Sequence, residues 1–165
     1  MNEIEALFRR LTHGVYAIGA AHNDQRDAFT AAWVMQASFS PLLLVLSINP
    51  QHASYPLVKD SGAFTVNVLK HGQLELAREL GTRSGRDHDK LAGVRWHPSR
   101  NGSPVLDAAL AYFDCEVAGH LPSGDHELIL GRVIDGRIID PDSVPMVYAE
   151  TGDMDGSSTL YPSRF

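Results

Sequence analysis

The stretch Ser123–Val133, SGDHELILGRV, places three ionisable side chains in succession ahead of an apolar run. Asp125, His126 and Glu127 are residue types that bind metals or transfer protons. Because neighbouring side chains of a strand point to opposite faces, His126 takes one face and the two acids take the other. The three cannot close on one metal ion in a regular strand, so no metal site is predicted. Spacing alone leaves two interpretations of His126, a functional imidazole or a polar residue that starts a strand after a Gly124–Asp125 turn.

Other catalytic signatures do not occur in the sequence. No GxGxxG follows a predicted strand, and GxxxxGK[ST], HExxH, CxxC and GxSxG are all missing. The other histidines are scattered, and His71, His88 and His97 are interpreted as ordinary loop or strand-end residues, because a metal site needs several ligands. Local motifs therefore do not identify a reaction.

Composition limits the class of protein. The 165 residues carry a net charge of −6 and no basic stripe, which argues against nucleic-acid binding. The single cysteine, Cys115, lies between Asp114 and Glu116, an acidic setting that disfavours a reactive thiolate and indicates a buried thiol. One domain over residues 1–165 is expected.

Location is predicted from the N-terminus and from hydropathy. Glu3 and Glu5 occupy the place of the basic region of a signal peptide. The longest strongly apolar run, Pro41–Ile48, is far shorter than the roughly 20 residues of a membrane helix. With no disulfide possible, we expect a cytoplasmic protein without membrane segments.

Periodicity and turn residues predict a mainly β chain with a few short helices. Asn2 is expected to cap an amphipathic N-terminal helix over residues 3–13, which Gly14 ends. Strands are predicted over residues 15–21, 42–48, 63–69, 110–120, 127–134 and 145–149, and a further element begins at residue 28. Short helices are predicted at 53–59 and 73–80, a loop at 81–90, a turn at 134–137 and a C-terminal arm over 151–165.

The order of several segments resembles that of the flavin-reductase-like family of FMN-binding split-barrel proteins. The segments are AFTAAWVMQASFSP, LLLVLSI, HASYPLVKDSGAFTVNVL, DKLAGVRWHP, LDAALAYFDCEV and GDHELILGRV, within about residues 10–150. The form TAAWVMQASF is most similar to flavoredoxin-like members and to the flavin reductase module of some flavodiiron proteins. The resemblance implies a Greek-key split β-barrel with short peripheral helices.

The resemblance also implies a flavin site. Residues Thr30, Ala31, Ala32 and Trp33 match the family segment that lies along the flavin and its ribityl chain. The small side chains of Thr30, Ala31 and Ala32 would let backbone N–H groups approach a ligand, whereas Trp33 taken alone is more typical of a core aromatic residue.

A phosphate site is implied where a buried strand turns into a helix, because helix N-termini bind anions. The matching positions are Ser47, Asn49, His52 and Ser54, of which Ser54 could also be a plain helix cap. His52 stands where the family has a basic residue, so Arg83 or Arg86 is expected to supply charge. Asn67 matches an asparagine that faces the flavin region in relatives.

His126 matches the family position where the nicotinamide approaches the flavin, and it is therefore the candidate catalytic residue. The implied activity is hydride transfer from NAD(P)H to FMN, with FAD as the alternative flavin, in a homodimer. The N-terminal helix and the arm are expected at the dimer interface. A monooxygenase or an electron-transfer protein is the expected acceptor.

Three alternatives remain open from the sequence. The chain could be an FMN-binding electron carrier that does not oxidise NAD(P)H. It could be a flavin- or haem-binding module without turnover, or an all-β interaction domain that binds no cofactor.

Overall fold

The computed structural model describes residues 2–165 and contains a seven-stranded antiparallel sheet with a separate two-stranded ladder. The large sheet has the order β2-β1-β5-β8-β9-β4-β3, and β6 pairs with β7. The strands are β1 Tyr16–His22, β2 Gln25–Ala31, β3 Val34–Ser38, β4 Leu43–Ile48, β5 Ala63–Val68, β6 Trp96–Pro98, β7 Pro104–Leu106, β8 Ala111–Ser123 and β9 His126–Ile138.

The two ends of this sheet are neighbours in sequence. Strands β2 and β3 lie at opposite ends of the strand order, yet only Ala32 and Trp33 separate them. The sheet must therefore curl until its ends meet, and the backbone N–H of Ser47 on β4 donates to the Trp33 carbonyl at 3.0 Å. A curled, incompletely closed sheet of this kind is a split β-barrel, and the prediction of a mainly β split barrel is confirmed.

In the described part of the chain, three α-helices lie outside the sheet: α1 Glu3–Phe8, α2 Tyr55–Ser61 and α3 Leu74–Thr82. Asn2 caps α1 as predicted, since its Oδ1 accepts the Ile4 N–H at 2.9 Å. Helix α1 ends at Phe8, however, and the predicted extension to residue 13 is wrong. Pro56 lies in the first turn of α2, where a missing N–H is tolerated.

Two hydrophobic clusters hold these layers together. The first fills the curled sheet beneath α2 and contains Ile18, Leu46, Phe64 and Ile129, each fully buried. The second packs α3 against the other side of β1 and β2, around residues such as Leu80.

Two predictions near the C-terminus are wrong, one of a strand and one of a turn. Residues 145–149 make only isolated bridges, from Pro145 to Lys70 and from Val147 to Gly14, before a 3-10 helix at Tyr148–Thr151. The turn predicted at residues 134–137 is part of β9, which continues to Ile138 opposite β8. No helix within residues 2–165 is long and apolar enough to cross a membrane.

Candidate functional site

A cavity of about 630 Å³ opens where the two ends of the sheet meet. Its walls come from the β2–β3 connection, the end of β4 with the following turn, the tip of the β8–β9 hairpin and both ends of the chain. The cavity is lined by Phe8, Arg9, Leu11, His13, Phe29, Thr30, Ala31, Ala32, Trp33, Ser47, Ile48, Asn49, His52, His126, Tyr148, Asp155, Ser157, Leu160 and Tyr161.

The structure brings most of the predicted site residues into this one cavity. Those that line it are Thr30, Ala31, Ala32, Trp33, Ser47, Asn49, His52 and His126. They come from segments up to about a hundred residues apart, which meet only because the sheet curls. Their role in cofactor binding remains a prediction.

The imidazole of His126 packs against the indole of Trp33. Their ring centres are 4.8 Å apart and the planes are inclined by 48°. Asp125 Oδ1 lies 2.7 Å from Nδ1 of His126, and this contact lowers the pKa of the Asp125 carboxyl. Gly124, with a φ of 64°, and Asp125 form the two-residue turn that starts β9 at His126. Asp125 thus orients the ring, with Nε2 left for other contacts.

His52 forms another part of the wall, above the ring of buried Phe29. Their ring centres are 4.3 Å apart, and His52 Nδ1 accepts the Ser54 N–H at 3.2 Å. Burial is the main cause that lowers the pKa of His52, and the charges of Lys90 and Arg86 lower it further. A neutral imidazole is therefore favoured, so His52 is a weak source of positive charge for a phosphate.

The side chain of Thr30 is held by a hydrogen bond to helix α3. Its hydroxyl donates to the carbonyl of Ala77 on α3 at 2.7 Å. This side chain consequently fixes β2 on the helix, and the residue can meet a ligand chiefly through its backbone.

Ser54 and Asn67 do not line the cavity. The Ser54 hydroxyl is buried and donates to Asp27, and it makes no helix-capping bond. The Asn67 amide donates to the carbonyls of Ala17 and Pro104, while its oxygen accepts the Leu106 N–H at 2.8 Å. Both side chains therefore have structural partners that the sequence pattern could not reveal.

Arg86 lines a second, polar cavity of about 580 Å³ beside the first. Its guanidinium donates to the carbonyl of Gln51 at 3.1 Å, and it thus contacts the turn between β4 and α2. Arg83 instead pairs with Glu79 at 3.0 Å. Of the two arginines considered from the sequence, Arg86 is the one that approaches the turn.

The ends of the chain contribute lining residues that the sequence analysis did not assign to the site. Phe8 packs on Tyr161 with ring centres 5.6 Å apart, and Tyr148 donates to Asp155 at 2.8 Å. Both segments belong to the same chain as the cavity they cover. Two features of the sequence could have indicated this part of the wall. They are the apolar residues on one face of the N-terminal helix and the aromatic residues within the polar C-terminal tail.

Within residues 2–165, no group of three or more His, Cys, Asp and Glu side chains could hold a metal ion. Burial, with the charge of Asp114 as a further cause, raises the pKa of the Cys115 thiol to about 12.

The chain is thus a split β-barrel with an aromatic, partly apolar cavity at the seam of its sheet. The family model described as "Flavin reductase like domain" matches residues 8–157, and the chain belongs to this family. The chain is 31% identical over 148 residues to diflavin flavoprotein A 1 of Synechocystis sp., covering 89% of this chain and 26% of that protein. It is 33% identical over 120 residues to HsaB, the reductase subunit of a flavin-dependent monooxygenase of Mycobacterium tuberculosis, covering 73% and 63%.

A solved structure shows the same fold. The homologue of nitrilotriacetate monooxygenase component B from Mycobacterium thermoresistibile superimposes with a TM-score of 0.78 at 29% identity, covering 87% of this chain and 82% of that one. The chain spans about a quarter of the length of the diflavin flavoproteins that it matches.

Proposed function

We propose that the protein is a flavin-dependent oxidoreductase that binds FMN in the cavity and transfers hydride from NAD(P)H to the flavin. The observation that carries the proposal is the convergence of Thr30–Trp33, the end of β4, His52 and His126 on one cavity. FAD is the alternative flavin. Family membership supports flavin chemistry, and the relatives of the chain include a monooxygenase reductase subunit.

The residues present fit a flavin. The volume of about 630 Å³ lies within the roughly 300–1,000 Å³ of ligand pockets. Ala31 and Ala32 carry the smallest side chains along the wall, which permits a flat ring to approach the backbone. Trp33 and His126 offer planar faces for a ring system, and Trp33 is 47% exposed, so its indole is available for contact.

The flavin, when bound, would accept a hydride from the reduced nicotinamide. The chain's contribution is to bind, orient and exclude water, because the redox chemistry belongs to the cofactors. Thr30–Trp33 would hold the ring through backbone groups, and His126, oriented by Asp125, would line the nicotinamide approach. Tyr148 and Tyr161 from the C-terminal segment would limit water access.

A phosphate would be held at the turn of residues 49–54. Arg86 donates to Gln51 in this turn, and the Lys90 ammonium acts on His52 from the protein interior. Asp27 neutralises Lys90, so Arg86 is the cation that would offset the weak charge of His52. This arrangement favours an anion there, as the sequence resemblance implied.

We extend the proposal to the assembly and its surroundings. Residues 1–165 would act as one flavin-binding unit, in a homodimer. Exposed Met35, Phe39 and Leu42 around β3 give the apolar surface that a dimer would bury. The electron acceptor would be free flavin, a monooxygenase or an electron-transfer protein. The lone buried cysteine suits the reducing cytoplasm.

The experiment is anaerobic titration of the protein, mixed with FMN and desalted, with NADH and then NADPH. We expect a retained flavin band that bleaches, and in His126→Ala slower bleaching with the flavin still retained. His97→Ala is the matched control, because His97 is exposed and pairs with Asp107 at 2.8 Å outside the cavity. A retained band that neither nucleotide bleaches would refute the reductase and indicate an electron carrier.

Turnover with excess flavin decides the case in which no band is retained. Oxidation of NADH or NADPH under those conditions would show that the flavin is a diffusible substrate. Neither binding nor turnover with FMN or FAD would refute flavin function altogether.

A further inference from the structure

Glu127 is a buried carboxylate with three partners outside the cavity. It is 6% exposed. The Tyr55 hydroxyl donates to Oε2, Lys59 Nζ donates to Oε1 at 3.1 Å, and His120 Nδ1 pairs with Oε1. An exposed ion pair would contribute little to stability, but this carboxylate is buried and both of its oxygens have hydrogen-bond partners.

The partners come from two separate elements. Tyr55 and Lys59 are four residues apart on α2 and so share one helix face. Pro122 on β8 pairs with Glu127 across the β8–β9 ladder, and His120 lies two residues before Pro122. All three side chains therefore lie on one face of the sheet. The carboxylate therefore joins the start of β9 to helix α2 and to β8.

The charges of this cluster favour the ion pair. Hydrogen bonding from Tyr55 is the main cause that lowers the pKa of Glu127, with Lys59 and His120 acting in the same direction. The bond to Glu127 is likewise the main cause that raises the pKa of Lys59. Glu127 is thus held as a carboxylate at neutral pH.

His126, the preceding residue, points to the opposite side of the strand and packs on Trp33 in the cavity. Because the two residues share a backbone, a shift of Glu127 moves the His126 ring. Glu127 also pairs in register with Ile48, at the end of β4 where the cavity wall begins. We infer that Glu127 is a positioning residue, which fixes His126 against Trp33 by anchoring the hairpin tip to α2.

The first test needs no ligand. The chain has two tryptophans, Trp33 and Trp96, so the Trp33 indole N–H signal can be assigned in a proton–nitrogen correlation spectrum by its loss in Trp33→Phe. In Glu127→Gln we expect this signal to move toward its position in His126→Ala, while the Trp96 signal stays in place. Glu116→Gln is the matched control, since Glu116 pairs with Arg132 at 2.6 Å on the exposed part of the same β8–β9 ladder.

A Trp33 signal that moves no more in Glu127→Gln than in Glu116→Gln overturns the inference. Should Glu127→Gln fail to fold, Tyr55→Phe and Lys59→Met decide in its place, because each removes one donor from a partly exposed position. An unmoved Trp33 signal in both substitutions overturns the inference equally.

The second test is kinetic and rests on the proposed function. Loss of the anchor should raise KM for the nicotinamide nucleotide about tenfold, the order expected for a displacement of under 1 Å, with flavin affinity nearly unchanged. Unchanged KM and kcat together with a moved Trp33 signal would overturn the positioning role. A wild-type protein that oxidises neither nucleotide refutes the proposed function instead, and the spectra then decide on Glu127 alone.

Discussion

Asp27→Asn should destabilise the protein strongly, because Asp27 is the partner of a buried cation. Lys90 has a fully buried side chain, and its Nζ lies 3.4 Å from Asp27 Oδ1 and donates to the Leu80 carbonyl at 3.1 Å. Burial is the main cause that lowers the pKa of Lys90, whereas Asp27 raises it. Neutralising Asp27 removes that compensation and leaves the desolvated charge.

The magnitude follows from these contacts. Removing one member of a buried ion pair costs about 3–5 kcal/mol. Lys90 keeps its bond to the Leu80 carbonyl, and an asparagine at position 27 keeps some of the hydrogen-bond partners of the aspartate. The loss in the free energy of unfolding should therefore lie near the lower end of this range, at about 3 kcal/mol. For a chain of this length, that loss should lower Tm by about 6–12 °C.

Thermal and urea unfolding followed by circular dichroism at neutral pH measure this loss. Glu116→Gln, which breaks an exposed pair, should cost less than about 1 kcal/mol. Adding Lys90→Met to Asp27→Asn removes the uncompensated charge and should recover part of the lost stability. If Asp27→Asn costs no more than Glu116→Gln, or if the double substitution is less stable than Asp27→Asn, the reasoning is refuted.

Three further predictions concern groups in the core and the cavity wall. Cys115, whose thiol pKa is raised to about 12, should resist aromatic disulfide reagents in the native protein and react after unfolding; native reaction at the rate of a free thiol would contradict this. Burial lowers the pKa of His52 below 6.5, so the free energy of unfolding should rise with pH between the lowered value and 6.5 and gain nothing from this group above it. His52→Gln should remove this rise in the free energy of unfolding, measured in urea. An identical pH profile in the wild type and in His52→Gln would show that His52 is not its cause. Gly131→Ala would place a Cβ 2.5 Å from Phe64 Cζ and should lower the free energy of unfolding in urea by about 1–3 kcal/mol. Gly93→Ala is the control, because no atom lies within 4 Å of the Cβ it would add. Equal losses in the two variants would show that the core relaxes around the new methyl group and would contradict the prediction.

Local patterns in the sequence were sufficient for most of the barrel. The alternation in residues 63–69 and the apolar run at 42–48 predicted β5 and β4. The strand predicted over 145–149 is wrong because Pro145 and Val147 each make only a single bridge, and the partner of a bridge is a distant residue that no local pattern specifies. Gly136 suggested a turn, but β8 supplies a full ladder partner there, and pairing prevails over turn propensity.

The candidate site was partly predictable for a related reason. Trp33 and His126 were chosen from resemblance, and the structure places their rings in contact. Asn67 and Ser54 were chosen by the same means, yet the side chain of each makes hydrogen bonds to partners more than twenty residues away. Side-chain partners at such separations depend on the folded chain, and so does the cavity wall formed by Tyr148 and Tyr161.

The meeting of β2 and β3 across Trp33 has a consequence for folding cooperativity. These strands belong to opposite ends of the ladder order, so no subset of adjacent strands can form the cavity. A partly folded chain could keep the local β8–β9 hairpin and still lack the pocket completely. Any molecule bound in the cavity therefore stabilises the whole barrel by mass action, and amide exchange should slow in every strand of the sheet together.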